Sequence, residues 1–330
     1  MNITRSIRKF IRSKSMSLII VAVVVACLFY VINHNYLGKD NIRGILNSMS
    51  ISGILAIGMA FLLMGGGINL AAGAEGCFGA LIVTMTMKAG VPWPLAIVVG
   101  VVFGTCTGLL NSFFINKLNF MGFISTLGMA SVYTGLGLVI SSNTNVPVSD
   151  ESFLVLGTTS LFGFLPTPFI IMLCLLIIYG FILNKTRFGR SILMCGGNRT
   201  AARLAGLNPK RISTILYINC GILATIAGSV LAARMRSASP SALSSGALDA
   251  ITASVLGGVS FMGGGGSMAG VFFGLLLLCM FNNGLLVIEL SAYWQIVAQG
   301  MLLIIALCVD FYSAKARAVS LRKASMRKTA

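Results

Sequence analysis

Between Gly44 and Met87 a single residue, Glu75, carries a charge. Such gaps recur. Ser15–Gly38, Ala89–Asn116, Leu118–Ser149, Ser152–Asn184, Ile212–Ala233, Ala250–Ile288 and Leu290–Val309 carry none. A helix needs about 20 mostly apolar residues to cross the hydrocarbon core of a bilayer. A soluble surface cannot be built from these runs. Only 9% of the 330 residues are charged, against ~25% in an average soluble domain, and 57% are hydrophobic. The 38 glycines fit the same reading, because glycine is frequent in transmembrane helices. No alternating ten-residue strand pattern is present, which argues against a β-barrel.

Six of the runs hold one helix each, while Gly44–Met87 and Ala250–Ile288 are long enough for two. In the second of these, Gly263-Gly264-Gly265-Gly266 marks the break. The reading is an all-α, polytopic membrane protein, one domain over 1–330, with about ten transmembrane helices. They are expected near 16–36, 46–64, 70–88, 93–115, 122–141, 166–184, 212–233, 249–262, 268–286 and 293–311. The eighth is short enough to enter the membrane without crossing it. The first begins like a signal peptide, with Val24-Val25-Ala26-Cys27 resembling a lipoprotein cleavage box. Its apolar run continues through Leu28-Phe29-Tyr30-Val31-Ile32 with no polar tether, so it reads as an uncleaved first helix.

Lysine and arginine resist translocation, so their distribution sets orientation. With the N-terminus inside, ten passes leave Arg5, Arg8, Lys9, Arg12 and Lys14 in a basic cytoplasmic segment over 1–15. Lys117 follows the fourth span. Lys185, Arg187, Arg190, Arg199, Arg203, Lys210 and Arg211 lie in a cytoplasmic loop over 185–211. Lys315, Arg317, Arg322, Lys323, Arg327 and Lys328 lie in a tail over 312–330. That places 19 basic residues inside and five outside: Lys39, Arg43, Lys88, Arg234 and Arg236. Both termini are therefore expected in the cytoplasm. The net charge of +17 reads as orientation signals and contacts for anionic lipid headgroups, not as a nucleic-acid groove.

Enzymatic motifs are missing from the sequence. It contains no G-x-x-x-x-G-K-[ST] loop, no H-E-x-x-H and no recognisable serine triad. His34 is the single histidine, and no C-x-x-C pair exists, so neither a metal site nor a disulfide framework is read. Cys195 lies in the cytoplasmic loop, and the other seven cysteines fall in spans as small apolar residues. Any ATP used must be bound by another chain.

Three features carry chemistry. In the 185–211 loop, Ala201, Ala202, Leu204 and Ala205 suit a short helix, with Gly206 as its cap and Pro209 barring continuation. It either offers a partner a close-approach surface or is an interfacial helix anchored by arginines. Two glycine clusters, Gly65-Gly66-Gly67 and Gly263–Gly266, interrupt hydrophobic sequence in the two halves of the chain. Such breaks survive at membrane depth when they line a cavity or are buried in protein, and they point to a transport site. Close helix packing uses glycine equally well. Glu75 is the one acid placed within a span, and it is a candidate for binding substrate hydroxyls, carrying a proton or sitting neutral near the inner interface. Asp249 and Asp310 read as helix-end residues. Asn111, Asn219, Asn282 and Asn283 are polar within spans, and face either a pathway or a neighbouring helix.

The loop residues Gly189-Arg190, Gly196-Gly197-Asn198 and Ala201-Ala202-Arg203-Leu204-Ala205-Gly206-Leu207 resemble the cytoplasmic loop of ribose-type permeases. These are the membrane subunits of bacterial ABC importers for simple sugars. The family's Gly-Ile-Asp-Leu-Ser-x-Gly signature is met by Gly67-Ile68-Asn69-Leu70-Ala71-Ala72-Gly73. Asn69 stands at its acidic position and Ala71 at its serine, with Glu75 as an added acid nearby. Leu248-Asp249-Ala250-Ile251, Val255-Leu256-Gly257-Gly258, Gly263–Gly266 and Asn282-Asn283-Gly284 match further family patterns, in order, between Gly44 and Asp310.

The resemblance implies a permease in the bacterial cytoplasmic membrane, paired with a second copy or a related permease. Two ATPase modules would dock inside and hold ATP and Mg, leaving no cofactor on this chain. An extracytoplasmic binding protein would deliver the solute. The docking role carries over to Gly189, Arg190, Gly197, Asn198, Ala202, Arg203 and Gly206. The candidate pathway comprises Asn69, Glu75, Asn111, Asn219, Asn282 and Asn283, and the helix breaks are Gly65, Gly66, Gly67, Gly263, Gly264, Gly265 and Gly266. The competing class is a secondary transporter or channel that uses Glu75 as its coupling residue. A membrane-embedded enzyme would want a clustered His, Asp or Ser constellation, which the sequence does not offer.

Overall fold

A computed structural model describes residues 14–161 and 163–329. Helix α1 (Lys14–Ile32) leads through a short helical turn at His34–Leu37 into α2 (Lys39–Met64), and a glycine-rich break separates α2 from α3 (Ala72–Lys88). Helix α4 (Trp93–Ser112) ends in a π-turn over Phe113–Lys117, and α5 (Gly122–Ile140) follows. Next come the short α6 (Glu151–Thr158), α7 (Thr167–Lys185), and two short helices, α8 (Arg187–Gly197) and α9 (Arg199–Leu204). The chain closes with α10 (Pro209–Met235), α11 (Gly246–Leu256), α12 (Met268–Val287) and α13 (Ala292–Thr329). Among the described residues the strands are two-residue pieces. β1 (Val146–Pro147) pairs antiparallel with β4 (Ser237–Ala238), Val146 opposite Ala238, and β2 (Ser160–Leu161) pairs with β3 (Leu165–Pro166).

Helices α2 and α10 form the centre. No hydrophobic drive pulls helices together in lipid, so their association rests on close backbone approach and packing. Gly100, Gly104 and Gly108 fall at four-residue spacing on one face of α4, and α10 packs against that face. A Cβ on Gly104 would lie 2.6 Å from the carbonyl oxygen of Gly221, and one on Gly108 2.5 Å from that of Tyr217. Beside α4, α10 also meets α3, where a Cβ on Gly76 would lie 2.8 Å from the carbonyl oxygen of Ala224. Helix α3 therefore begins level with the middle of α10, not at its end. The segment before α11 comes in beside it, with Leu243 against Gly73 and Leu55 against Gly246.

Each of the ten expected spans has a helix, and seven are long and apolar enough to cross a membrane. These are α2, α4 with its π-turn, α5, α7, α10, α12 and the Tyr293–Tyr312 part of α13. Three are shorter. Helix α3 has 17 residues and starts at Ala72, because Asn69–Ala71 belong to the break. Helix α11 has 11 residues and stops at Leu256 rather than 262. There the chain turns through Gly258, whose φ of +82° belongs to the left-handed region that glycine tolerates. In α1 the apolar stretch is Leu18–Ile32.

Two further differences concern the connections. The 185–211 loop holds two helices, where the sequence predicts one short helix near 201–205. Thr186 caps α8 by accepting the Gly189 N–H at 3.1 Å. Phe188, Ile192 and Cys195 then fall on one face at helical spacing, with Ile192 and Cys195 buried in the core. Helix α6 is also unpredicted, and Asp150 starts it by accepting the Ser152 N–H at 2.9 Å. Of the basic N-terminal residues, Arg5, Arg8, Lys9 and Arg12 lie outside the described residues.

Candidate functional site

Three glycine segments, distant in sequence, meet at one point. Helix α2 stops at Met64, and Gly66 turns the chain with a φ of +75°. The Gly264 N–H donates to the Met64 carbonyl at 2.9 Å, joining the first break to the second. Gly196, in the last turn of α8, is wedged between them: its Cβ would lie 2.6 Å from the Gly264 nitrogen and against the Met64 carbonyl. A Cβ on Gly263 would lie 2.8 Å from the Gly196 oxygen and 3.1 Å from the Gly66 Cα. The contact is backbone on backbone, so a side chain at Gly196 has no space. Arg199 adds an Nη2 bond to the Gly66 carbonyl at 3.3 Å, and the Phe261 N–H donates to Asp310 of α13 at 3.2 Å. A cavity of about 490 Å³ opens beside this junction, bounded by Gly66, Gly67, Asn119, Arg199, Tyr217 and Phe261.

The predicted docking residues fall on α8, α9 and the turns that end them. Gly189 packs tightly on the carbonyls of Ile182 and Leu183. Asn198 caps α9 by accepting the Thr200 and Ala201 N–H groups, both at 3.0 Å. Ala202 is buried, Gly206 turns the chain with a φ of +80°, and Arg190 and Arg203 are exposed. Leu204 stands 86% exposed beside Arg203, an apolar side chain projecting from a basic surface. Sequence reasoning missed Gly196 and Arg199 as contact residues. Their signal was adjacency to Gly197 and Asn198, but only the fold shows what they touch.

The six candidate pathway residues separate into three places. Asn69, Glu75 and Asn111 are fully buried together. Glu75 accepts from Asn69 Nδ2 at 3.0 Å with one oxygen and from Asn111 Nδ2 at 2.5 Å with the other. Asn69 Oδ1 also accepts the Ala71 N–H at 3.0 Å, the Leu70 N–H donates to Thr126 of α5 at 3.1 Å, and Tyr217 of α10 donates to the Ile68 carbonyl at 3.0 Å. These bonds clasp the first break to α3, α4, α5 and α10. A buried carboxylate without such partners is costly, and this one has a donor on each oxygen. Elsewhere, Asn219 accepts from the Tyr179 hydroxyl. Asn283 accepts from Asn41 Nδ2 at 2.8 Å, while the neighbouring Asn282 leaves a buried oxygen without a partner. Asn111, Asn219 and Asn283 thus bond one helix to another, and Asn69 bonds the first break to α3.

One polar region was not singled out from the sequence. Ser241, Ser244 and Ser245 are exposed at the start of α11, and Ser245 donates to the half-buried Asp249 at 3.2 Å. Leu243, between them, packs on Gly73, so these hydroxyls sit level with the middle of α10. Exposed polar groups at that depth are costly against lipid and face water or another protein.

Comparison with known proteins closes the assignment. The chain matches the family described as branched-chain amino acid transport system / permease component over residues 41–307. It is 34% identical to the ribose import permease protein of Bacillus subtilis over 289 residues, covering 87% of this chain and 89% of that one. It is 36% identical to the L-arabinose transport system permease protein of Escherichia coli, covering 91% of each chain. It is 28% identical to the xylose transport system permease protein of Haemophilus influenzae, covering 89% of this chain and 94% of that one. No solved structure matches the chain. With seven helices long and apolar enough to cross a membrane and a family match along most of its length, the chain belongs to this family of membrane permease components.

Proposed function

We propose that the chain is the membrane-spanning subunit of an ATP-driven importer for a simple sugar. The relatives named for ribose, L-arabinose and xylose align along most of the chain, which supports a sugar cargo. The serine hydroxyls and Asp249 at the mouth of α11 supply donors and acceptors of the kind a sugar hydroxyl exchanges. ATP and its Mg belong to partner ATPase modules, two of them, on the cytoplasmic face. A second permease subunit, identical or related, completes the pathway, and an extracytoplasmic binding protein delivers the solute. In this reading the chain threads the bacterial cytoplasmic membrane with both termini inside, seven of its helices being long enough to cross and the shorter α1, α3 and α11 completing the even count that the 19 to five division of basic residues supports.

The observation that carries this reading is the wedge of Gly196 between the two breaks. Helices α8 and α9 present Arg190, Arg203 and Leu204 outward and touch both breaks inward. A partner that moves α8 and α9 thus moves the end of α2 and the α11–α12 connection together. Transport needs no covalent chemistry on this chain, only two conformations of differing access whose balance the partner shifts. The Glu75 carboxylate, with both oxygens occupied by asparagine amides, acts in this scheme as a clasp for the first break.

Replacing Arg203 with glutamate tests the docking surface. Arg203→Glu is expected to abolish ATP-coupled uptake while membrane insertion remains intact. Uptake at the wild-type rate in that variant would refute the docking role. Co-purification from native membranes supplies the second test, since a nucleotide-binding subunit is expected to accompany the chain.

A further inference from the structure

The inner ends of α4 and α10 frame a groove of about 710 Å³ that the transport reading does not use. Its apolar wall is Leu109, Leu110 and Phe113, each 44–47% exposed. Its rim carries Lys117 and Lys210, both exposed. The floor between them is polar and already saturated. The Ser112 and Thr214 hydroxyls are 2.6 Å apart, and Asn116 Nδ2 donates to Ser112 at 3.0 Å. Lys117 is held over the Phe113 ring, with its nitrogen 5.3 Å from the centroid. The seven acidic residues of the chain are Asp40, Glu75, Asp150, Glu151, Asp249, Glu289 and Asp310, and none of them lines the groove.

We infer that this groove is a binding site for one anionic phospholipid of the cytoplasmic leaflet, its phosphate between Lys117 and Lys210 and an acyl chain along Leu109, Leu110 and Phe113. Charge complementarity selects the occupant. Two ammonium groups at the membrane surface require an anion, and the wall below them requires hydrocarbon. A soluble anion would satisfy the rim and leave the wall exposed. A zwitterionic lipid would satisfy the wall and leave net positive charge on the rim. Each lysine near such a surface favours an anionic lipid by roughly a factor of five, so the pair favours it by about thirty-fold.

The test uses the full chain in its assembled complex, washed in detergent with dioleoylphosphatidylglycerol or dioleoylphosphatidylcholine and examined by native mass spectrometry. The wild type is expected to retain phosphatidylglycerol over phosphatidylcholine by about thirty-fold at this site. The double variant Lys117→Gln/Lys210→Gln is expected to lose that preference. Lys117→Arg/Lys210→Arg is expected to keep it, and Lys88→Gln, at the other end of the bundle, should leave it unchanged. Leu110→Asp, which keeps both lysines, is expected to reduce retention of either lipid. Equal retention of phosphatidylglycerol by the wild type and the Lys117→Gln/Lys210→Gln variant would overturn the site. So would a double variant that sheds an ATPase subunit while holding its lipid, because the groove would then be a protein contact. Retention of inorganic phosphate in place of lipid would overturn it as well.

Discussion

Helix α2 and the Tyr293–Tyr312 part of α13 are both long and apolar enough for a membrane, yet 78% of an apolar 18-residue stretch is buried inside the bundle in one and 6% in the other. Apolar side chains do not make this difference, because lipid tails are as apolar as leucine. Close approach does. Gly58 of α2 faces the Cys220 backbone of α10, where a Cβ would lie 3.3 Å from the Cα, and Ser254 of α11 donates to the Ala56 carbonyl at 3.4 Å. Gly300 of α13 meets nothing within 4 Å. The lesson is that the small residue matters only where another backbone comes to meet it.

The comparison breaks hardest at the junction. Gly196→Val puts branched carbon into backbone that has no alternative position, at the point where α2, α8 and the second break touch. It is expected to abolish uptake and to lower the stability of the purified complex by about 3 kcal/mol or more, read as a fall in Tm. Wild-type uptake and Tm in this variant would show that the junction is loose. The Glu75 clasp comes next. Glu75→Leu strands the amides of Asn69 and Asn111 in a buried site, with an expected cost of about 2–3 kcal/mol in thermal unfolding. Glu75→Gln keeps one acceptor and is expected to cost about half as much. A neutral Glu75→Leu would mean that the clasp does not hold the first break. At the smallest end, Val139→Ala on α5 and Ile305→Ala on α13 alter side chains 76% and 58% exposed. Each is expected to stay within about 0.5 kcal/mol. A loss as large as that at Gly196 would show that another subunit covers these faces in the assembly.

Charge gaps made the helices legible in the sequence, because lipid forbids charge along a span and the constraint is written at every position. The glycine clusters made the breaks legible for a related reason. Their juxtaposition was not legible. Gly66, Gly196 and Gly264 belong to separate segments, and nothing local in any of them names the others. Helix α8 carries three glycines, Gly189, Gly196 and Gly197, which weaken a helical signal although Gly189 and Gly196 sit where backbone presses on backbone. Half of the Glu75 clasp was visible, since Asn69 lies in the same glycine segment. Asn111 was a separate polar position in the fourth span, and only the packing of α4 beside α3 brings it to the carboxylate.

The bond from Gly264 to Met64 also bears on how the chain is made. Helix α2 leaves the ribosome well before α10, α11 and α12, which enclose it. Most of the chain must be synthesised while the carbonyl of Met64 waits for its donor. Long-range contacts of this kind slow assembly, and incomplete intermediates expose surfaces that misassociate. A chain truncated after α9 would hold the most buried of the seven spanning helices with α7 against it but without α10, α11 and α12. Such fragments are expected to be recognised and degraded by membrane quality control, so that the segment encoding α10–α12 governs the yield of α2.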